Sequence, residues 1–412
     1  MALLLIGCQT GREPVPVPVQ EPITVVTVDV TPLPTAQNPT AIPAETPVPV
    51  TPSPVPTDTP APSAEELLRA YIDGMTLEEK IGQLCMFGFS GTETVSTKFQ
   101  KILETYHVGN IILYGMNIDR TNDDGGFDQC RSLIESVKAA SASEIPLLIS
   151  IDVEGGTVKR FEWPKSLESA RTLGKKNDTE RARAQFARIG EGLRSVGINV
   201  DLAPVLDVTA DSDHFLGARV ISSDPDVTSR IGRACIEGLH DSNVLSFVKH
   251  YPGHGAVNID SHEETPVSDR TLDELLNYDL IPFADAVTGG ADGVMVGHLL
   301  FQRIDDEHIA SQSYVFITQI LRDELDFEGV VISDDFRMAG LRKQTSLEEG
   351  AVQFLLAGGD LILCGANHDY QRAILDGLYA AVKSGRLTEE RIDESVFRIL
   401  SAKLRVADSP WY

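Results

Sequence analysis

The amino-acid sequence predicts an α/β fold, a (β/α)8 TIM-type barrel preceded by a disordered N-terminal tether. Eight short apolar runs rich in β-branched residues alternate with helical stretches from Ser63 onward. Parallel strands buried on both faces have this continuous apolar character, and the alternation of strand and helix is typical of a β/α barrel. No GxGxxG motif follows an early strand, which argues against the competing open, doubly wound sheet.

The first eight residues resemble the end of a bacterial lipoprotein signal. Cys8 directly follows an apolar run that ends in the small residue Gly7. The run is too short to span a bilayer and no Lys or Arg precedes it, so we interpret it as a signal remnant whose true start lies upstream. We expect acyl chains on Cys8 to anchor the protein on the outer, extracytoplasmic face of a bacterial membrane. The alternative is an unmodified N-terminus, and the mass of the native N-terminal peptide separates the two.

Residues 9–62 have the composition of a disordered tether. They contain 15 of the 23 prolines of the chain and show neither helical nor alternating periodicity. Proline density favours polyproline II, and at roughly 3.1 Å per residue the segment can hold a domain more than about 100 Å from its anchor. The Thr-Pro repeats are equally compatible with glycosylation.

Composition argues against several classes of function. The formal net charge of −26 argues against nucleic acid as a partner, because phosphate binding needs clustered Lys and Arg. An odd number of cysteines without CxxC spacing indicates neither a zinc site nor a disulfide framework, and most are expected to be buried as small apolar residues. No cofactor is implied. The cysteines are Cys8, Cys85, Cys130, Cys235 and Cys364.

The folded domain is predicted to span residues 63–412. Ser63-x-x-Glu66 and Thr76-x-x-Glu79 are capping boxes that precede helical stretches, and they mark the point where the composition changes. The alternation of apolar runs and helical stretches begins there. The runs predicted as strands are 82–89, 108–115, 145–151, 198–205, 244–249, 293–298, 329–333 and 361–364.

Four of these runs end in side chains that can carry chemistry. Because the carboxyl ends of barrel strands meet around one pocket, we expect carboxylates from two strands to face the same substrate bond. Glu154 and His298 are equally compatible with lining the pocket, and Asp201 and Asp207 with buried hydrogen bonds. The strand-end residues are Asp152, Glu154, Lys249, His250, His298, Asp334 and Asp335.

Residues 249–262, KHYPGHGAVNIDSH, form a polar loop that leaves the fifth run. Gly253 and Gly255 are expected to take backbone angles that other residues avoid. Asp260 lies two positions before His262, so the carboxylate can orient the imidazole and stabilise its charged form for general acid/base catalysis. The histidines and the aspartate also raise the alternative of a zinc site, but their spacing in a loop does not place two ligands on a shared helical face.

These residues resemble the family 3 glycoside hydrolases, in particular the single-domain bacterial β-N-acetylglucosaminidases of the β-hexosaminidase type. The similarity extends from about residue 64 to 405. Its most specific part is the pattern K-H-[FY]-P-G-H-G-x4-D-[ST]-H, which residues 249–262 match at every specified position. Three further segments match in the same order, DVEGGTVKRF at 152–161, GINVDLAPVLDV at 197–208 and GVVISDDFRMAG at 329–340.

The resemblance implies roles for individual residues. Asp334 would be the nucleophile that attacks the anomeric carbon, although a strand-end aspartate can also cap the following helix. His262, with Asp260 as its dyad partner, would protonate the leaving oxygen and then activate water, which suits a reference pKa of about 6.5. Lys249 is expected near Asp334, where it would favour the ionised carboxylate, and Asp335 is the better candidate for a structural role. The residues that would hold the hydroxyls of the terminal sugar are Asp152, Arg219, Lys249 and His250.

The resemblance therefore implies an exo-acting, retaining β-N-acetylglucosaminidase that hydrolyses terminal β-linked N-acetylhexosamine through a glycosyl-aspartate intermediate. Oligosaccharides or glycopeptides from peptidoglycan or chitin would be its substrates, without a metal. The alternatives are a phosphorylase, since a neutral imidazole repels phosphate less than a carboxylate does, a β-glucosidase, or a non-catalytic glycan-binding lipoprotein. The family often has Gln and Arg where Val153 and Thr157 stand, and Asp-Thr where Ala256-Val257 stand, and these departures bear on substrate preference and loop closure.

Overall fold

The computed structural model of the chain describes residues 62–141, 143–211, 214–257 and 259–407. Cys8 and residues 9–61 of the predicted tether lie outside these ranges, so the lipoprotein and linker interpretations stay predictions. None of the helices in the described ranges combines the length and the apolar character that crossing a bilayer requires.

The predicted strands form a parallel barrel, and each predicted run overlaps one barrel strand, with β5 extending two residues beyond the predicted end at Lys249. In the described ranges the strands are β1 (Cys85–Gly88), β2 (Asn110–Ile112), β3 (Leu148–Ile151), β4 (Val200–Asp201), β5 (Leu245–Tyr251), β6 (Val267–Ser268), β7 (Gly293–Val296), β8 (Leu300–Phe301), β9 (Val330–Ser333) and β10 (Ile362–Cys364). The sheet order is β10-β1-β2-β3-β4-β5-β7-β9, and a parallel bridge between Ile332 and Leu361 joins β9 to β10. The (β/α)8 prediction is confirmed, and β6 and β8 form a small separate pair.

Helices alternate with the barrel strands. The first two begin at the predicted capping boxes: the hydroxyl of Ser63 accepts a hydrogen bond from the Glu66 backbone N–H at 3.2 Å, while the Glu66 carboxylate accepts one from the Ser63 N–H at 2.6 Å. π-Helical turns occupy Leu275–Asp279 and Val315–Glu324. The α-helices of the described ranges are α1 (Ala64–Asp73), α2 (Leu77–Gln83), α3 (Thr97–Tyr106), α4 (Phe127–Ala140), α5 (Ala170–Lys176), α6 (Thr179–Val196), α7 (Pro225–Asp241), α8 (Leu272–Glu274), α9 (Ile281–Thr288), α10 (Ala339–Arg342), α11 (Leu347–Leu356), α12 (His368–Lys383) and α13 (Glu389–Val406).

The start of the first predicted strand is wrong by three residues. Gly82 and Gln83 end α2, and β1 begins only at Cys85. A Cβ atom on Gly82 would lie 2.2 Å from the carbonyl oxygen of Tyr106, so this glycine allows α2 to pack against the end of α3. The apolar start of the predicted run therefore reflects the packing of a helix end and not strand propensity.

The barrel strands are the most buried part of the domain. All residues of β5 are buried, as are all residues of β1, β3 and β9. The prediction for the cysteines is confirmed within the described ranges, because they are free, buried, and surrounded by an environment that raises the pKa of each thiol. These cysteines are Cys85, Cys130, Cys235 and Cys364.

Candidate active site

A cavity of about 230 Å³ opens at the carboxyl ends of the barrel strands. This is the end at which β/α barrels build their active sites. All of the predicted site residues line it, so the structure brings together side chains from four barrel strands or the loops that follow them. They are Asp152, Arg219, Lys249, His250, Asp260, His262 and Asp334.

The floor of the cavity is a buried network of ion pairs centred on Lys249. Its ammonium lies 2.7 Å from Asp152 and 2.8 Å from Glu154, and Arg219 binds Glu154 through two hydrogen bonds of 2.8 and 2.9 Å. Burial alone would raise the pKa of both carboxyls. Lys249 together with Arg160 lowers the pKa of Asp152, and Lys249 together with Arg219 lowers the pKa of Glu154 to about 2. The network is therefore fully ionised at neutral pH.

Asp334 follows β9 directly and points into this cavity. Its backbone N–H donates to the carbonyl of Val296 at 2.9 Å, and its Oδ1 accepts from the Asp335 N–H at 2.8 Å. Burial alone would raise the pKa of Asp334, but the nearby rings of His250 and His298 bring it below the ordinary value. The expected contribution of Lys249 is not among the main causes, because its ammonium is held by the carboxylates of the floor.

Asp335, by contrast, is saturated by neighbouring donors. Its carboxylate accepts hydrogen bonds from the Tyr114 hydroxyl at 2.9 Å, from Arg337 Nη2 at 2.7 Å and from the Gly365 N–H at 3.2 Å. With its lone pairs occupied in this way, Asp335 has little capacity left to attack a substrate. Of the two adjacent aspartates, Asp334 is the one available for chemistry.

Asp207 organises the histidines of the fifth strand end. Its carboxylate accepts from His250 Nδ1 at 2.7 Å and from the His254 backbone N–H at 2.6 Å, which confirms the buried hydrogen bonds expected of Asp207. Asp201 is likewise buried and accepts from the Val153 N–H at 2.8 Å. Burial and the neighbouring His250 lower the pKa of His254 to about 4, so this ring is neutral at pH 7.

The loop that carries His262 depends on two glycines for different reasons. Gly253 has φ +129°, as the sequence predicts, whereas Gly255 is not in the positive-φ region. A Cβ atom on Gly255 would lie 1.9 Å from the carbonyl oxygen of Val208. The expected unusual backbone angle at Gly255 is therefore wrong. This glycine instead permits close packing of the backbone against Val208.

His262 and Asp260 form the predicted dyad at the mouth of the cavity. His262 Nδ1 lies 2.7 Å from Asp260 Oδ1, which also accepts from the His262 backbone N–H at 3.0 Å. Burial alone would raise the pKa of Asp260, but these contacts lower it. Because Asp260 occupies the Nδ1 side of the ring, Nε2 is the nitrogen left to exchange a proton with a substrate. The His262 side chain is 72% exposed, so the dyad reaches the cavity from the solvent side.

The histidines of the zinc alternative are engaged elsewhere. His250 Nδ1 contacts Asp207, and His254 Nε2 contacts the Ser261 hydroxyl at 2.9 Å. Within the ranges that the structure describes, no group of three or more His, Cys, Asp and Glu side chains is arranged to hold a metal ion.

Four charged or aromatic cavity residues were not identified from the sequence, namely Tyr114, Arg160, Phe215 and Arg337. Arg160 binds Asp152 at 2.9 Å, and the guanidinium of Arg337 lies 5.2 Å from the centre of the Tyr114 ring. Both arginines fall inside segments that were singled out, DVEGGTVKRF and GVVISDDFRMAG. The available signal was an arginine two to eight residues after a strand-end carboxylate, a spacing that fits many surface arginines equally well.

Replacing Lys249 should strongly destabilise the domain. In Lys249→Met, Asp152 and Glu154 stay buried without their shared counter-charge, so we expect the free energy of unfolding to fall by roughly 3–5 kcal/mol. Both carboxyls have depressed pKa values in the folded state. Their contribution to the free energy of unfolding is therefore fully present at a pH above their ordinary pKa values, and it is lost as the pH falls toward about 2. Urea titrations between pH 3 and 7 should therefore give a smaller acid-dependent loss for Lys249→Met than for the unmodified protein.

The double variant Lys249→Met/Glu154→Gln is the matched control. Removing one of the stranded carboxylates should recover part of the lost free energy, since neighbouring substitutions are not additive. A single Lys249→Met variant within about 1 kcal/mol of the unmodified protein would contradict the buried network as a source of stability.

Comparison with known proteins identifies the family of the chain. The model described as the glycosyl hydrolase family 3 N-terminal domain matches residues 76–402. A β-hexosaminidase of Idiomarina loihiensis is 38% identical over 285 residues, which cover 68% of this chain and 82% of that protein. The β-hexosaminidase LpqI of Mycobacterium tuberculosis is 34% identical over 337 residues, which cover 79% of this chain and 82% of that protein.

Solved structures of family 3 proteins have the same fold as this chain. A family 3 β-N-acetylglucosaminidase from a Paenibacillus species superposes with a TM-score of 0.76 at 38% identity, covering 81% of this chain and 63% of that longer protein. The structure of M. tuberculosis LpqI superposes with a TM-score of 0.72 at 32% identity, covering 82% of this chain and 96% of that protein. With its barrel, its strand-end carboxylates and its His-Asp loop, the chain belongs to glycosyl hydrolase family 3 and is a glycoside hydrolase.

Proposed function

We propose that the protein is an exo-acting, retaining β-N-acetylglucosaminidase that cleaves terminal β-linked N-acetylhexosamine from oligosaccharides or glycopeptides. The observation that carries the proposal is that Asp334 and His262 line the same cavity, one from its inner wall and the other from its mouth. The activities in the names of the Idiomarina and Paenibacillus proteins support the choice of an N-acetylhexosamine substrate.

In the first step Asp334 attacks the anomeric carbon and the bond to the leaving oxygen breaks. Protonated His262 donates its Nε2 proton to that oxygen, so the aglycone departs as a neutral alcohol. The lowered pKa of Asp334 keeps its carboxylate ionised and ready to attack at neutral pH. The product of this step is a glycosyl ester on Asp334 of inverted anomeric configuration.

In the second step His262, now neutral, removes a proton from a water molecule. The water attacks the anomeric carbon and the ester bond to Asp334 breaks, which restores both the carboxylate and the original configuration of the sugar. Asp260 stabilises the imidazolium that forms and holds the ring by its Nδ1 side. One imidazole thus serves as acid and then as base.

The floor of the cavity accounts for the exo mode. Lys249 is 2% exposed and its ion pairs form a closed floor, which gives the cavity the blind end that binding of a terminal sugar requires. Asp152, Arg219 and His250 bring further hydrogen-bonding groups to the same end, where they can bind the hydroxyls of one terminal sugar.

The test is the release of N-acetylglucosamine from an aryl β-N-acetylglucosaminide, with the aryl β-glucoside measured in parallel. Product analysis with and without inorganic phosphate distinguishes free sugar from a sugar 1-phosphate. We expect free β-N-acetylglucosamine as the first product in both conditions. No release from either glycoside, or release of the sugar only as its 1-phosphate, would contradict the proposed hydrolase.

The place of action is a further part of the proposal. A lipid on Cys8 and an extended tether at residues 9–62 would hold the barrel outside the membrane, among the glycans of the cell envelope. Fragments of peptidoglycan or chitin are the N-acetylglucosamine-rich glycans that fit this position. Membrane fractionation of the native protein and of Cys8→Ser tests the attachment, since a serine at position 8 cannot carry the lipid anchor.

A further inference from the structure

Phe215 is an exposed aromatic side chain on the wall of the active-site cavity. It lies in the loop between β4 and α7 and is 36% exposed. Among the described residues that line the cavity, no other large apolar side chain is as exposed as Phe215. Leaving an aromatic ring in water has a free-energy cost, so an exposed ring inside a binding cavity points to a ligand that covers it.

Tyr114, another aromatic residue of the cavity wall, is less exposed than Phe215. The Tyr114 ring lies 5.2 Å from the Arg337 guanidinium, and its hydroxyl donates to Asp335 at 2.9 Å. The ring and the hydroxyl of Tyr114 therefore contact neighbouring protein side chains, whereas part of the Phe215 ring remains exposed to solvent.

Phe215 is held in place by two histidine rings. The ring of His214 lies 4.5 Å away at an interplanar angle of 33°, and the ring of His254 meets it edge-on at 5.2 Å. His214 is itself fixed, because its Nδ1 accepts from the Leu216 N–H at 3.2 Å and its Nε2 lies 2.6 Å from the carbonyl oxygen of Val257. A ring anchored in this way can bind a ligand without a large loss of side-chain entropy.

The same contacts locate Phe215 on the leaving-group side of the cavity. His254, which packs against Phe215, hydrogen-bonds to the Ser261 hydroxyl at 2.9 Å, and Ser261 directly precedes His262. The proton donor of a glycosidase faces the oxygen of the leaving group. These contacts connect Phe215 to the loop that carries His262, so we expect a leaving group that receives the His262 proton to lie next to Phe215.

We propose that Phe215 is the stacking platform for the first sugar ring of the leaving group, which makes oligosaccharides with a pyranose aglycone the preferred substrate class. The C–H bonds on one face of a pyranose ring form an apolar surface that packs on an aromatic face. This inference rests on the proposed hydrolase function and specifies which leaving groups the enzyme favours.

The two-step mechanism gives the proposal a specific kinetic signature. A contact with the leaving group acts only until the glycosyl-aspartate forms, because the aglycone then departs. Phe215 should therefore affect kcat/KM for a disaccharide and should not affect hydrolysis of a glycosyl fluoride, whose leaving group has no ring.

The experiment compares N,N′-diacetylchitobiose with the β-fluoride of N-acetylglucosamine in Phe215→Ala, Phe215→Trp and the unmodified protein. For Phe215→Ala we expect about a tenfold loss of kcat/KM on the disaccharide, the size of one good aromatic contact, and a change below about twofold on the fluoride. Phe215→Trp should restore the disaccharide activity. Tyr314→Ala, which removes an aromatic ring that is 55% exposed and does not line the cavity, is the matched control and should change neither value.

Each other outcome has a definite meaning. Equal losses on both substrates in Phe215→Ala would overturn the platform and assign the ring to support of the His262 loop. Unchanged disaccharide kinetics would overturn it as well. An unmodified protein that is inactive on the fluoride would instead contradict the hydrolase function on which the platform rests.

Discussion

Asp334→Ala is expected to lose turnover by roughly 10⁴- to 10⁶-fold, the scale seen when a covalent nucleophile is removed. The neighbouring Asp335 does not replace it, since its carboxylate is held by Tyr114, Arg337 and Gly365, and Asp152 and Glu154 are bound in ion pairs with Lys249. Folding should be little affected, because within the described residues the Asp334 side chain accepts a single hydrogen bond, from the Asp335 N–H, and its loss costs about 1 kcal/mol. Steady-state kinetics and thermal unfolding of the same preparation measure the two effects.

Azide separates loss of the nucleophile from general damage. In Asp334→Ala the small anion can occupy the vacated space and attack the anomeric carbon of a dinitrophenyl β-glycoside from the face opposite the leaving group. The product should be the α-glycosyl azide. Asp323→Ala, which removes an exposed carboxylate from the π-helical segment Val315–Glu324, is the control and should keep full activity, because no residue of that segment lines the cavity. Retained turnover in Asp334→Ala without azide would assign the attack to the acetamido oxygen of the substrate.

The fold was accessible from the sequence because buried parallel strands are continuous apolar runs. Each of the eight runs overlaps a barrel strand, and the capping boxes at Ser63 and Thr76 start the first two helices. The small pair of β6 and β8 was not predicted, because two-residue strands are too short to show a period. Gly82 was misassigned because a buried helix end has the same composition as a strand.

The site was predictable as a set of residues but not as a set of contacts. Strand ends and one polar loop identify which side chains face the cavity, because the barrel topology brings them together. Which of these side chains form ion pairs depends on distances across the barrel, and those distances cannot be deduced from the spacing of residues in the sequence. The ion pairs of Lys249 with Asp152 and Glu154 were therefore not predicted. The roles of Arg160 and Arg337 were missed for the same reason.

His262→Ala should produce a defect that depends on the leaving group. Alcohol leaving groups need the proton that His262 supplies, so kcat/KM for a disaccharide should fall by about 10²- to 10⁴-fold. A dinitrophenolate departs without protonation, so the first step should survive with that substrate, and the glycosyl-aspartate should accumulate because no base activates water. Stability should change little, since the His262 side chain is 72% exposed.

Azide again identifies the step that is impaired, with the opposite stereochemistry. An anion needs no general base, so azide should attack the intermediate that accumulates in His262→Ala and release the β-glycosyl azide, in contrast to the α-azide from Asp334→Ala. Asp260→Asn should show a smaller defect of the same pattern, because it leaves the imidazole in place but removes the charge that stabilises its protonated form. His308→Ala is the matched control, since His308 also lies beside an aspartate, Asp305 at 3.4 Å, but does not line the cavity. A His262→Ala defect of equal size for disaccharide and dinitrophenyl substrates would show that the ring is not the proton donor.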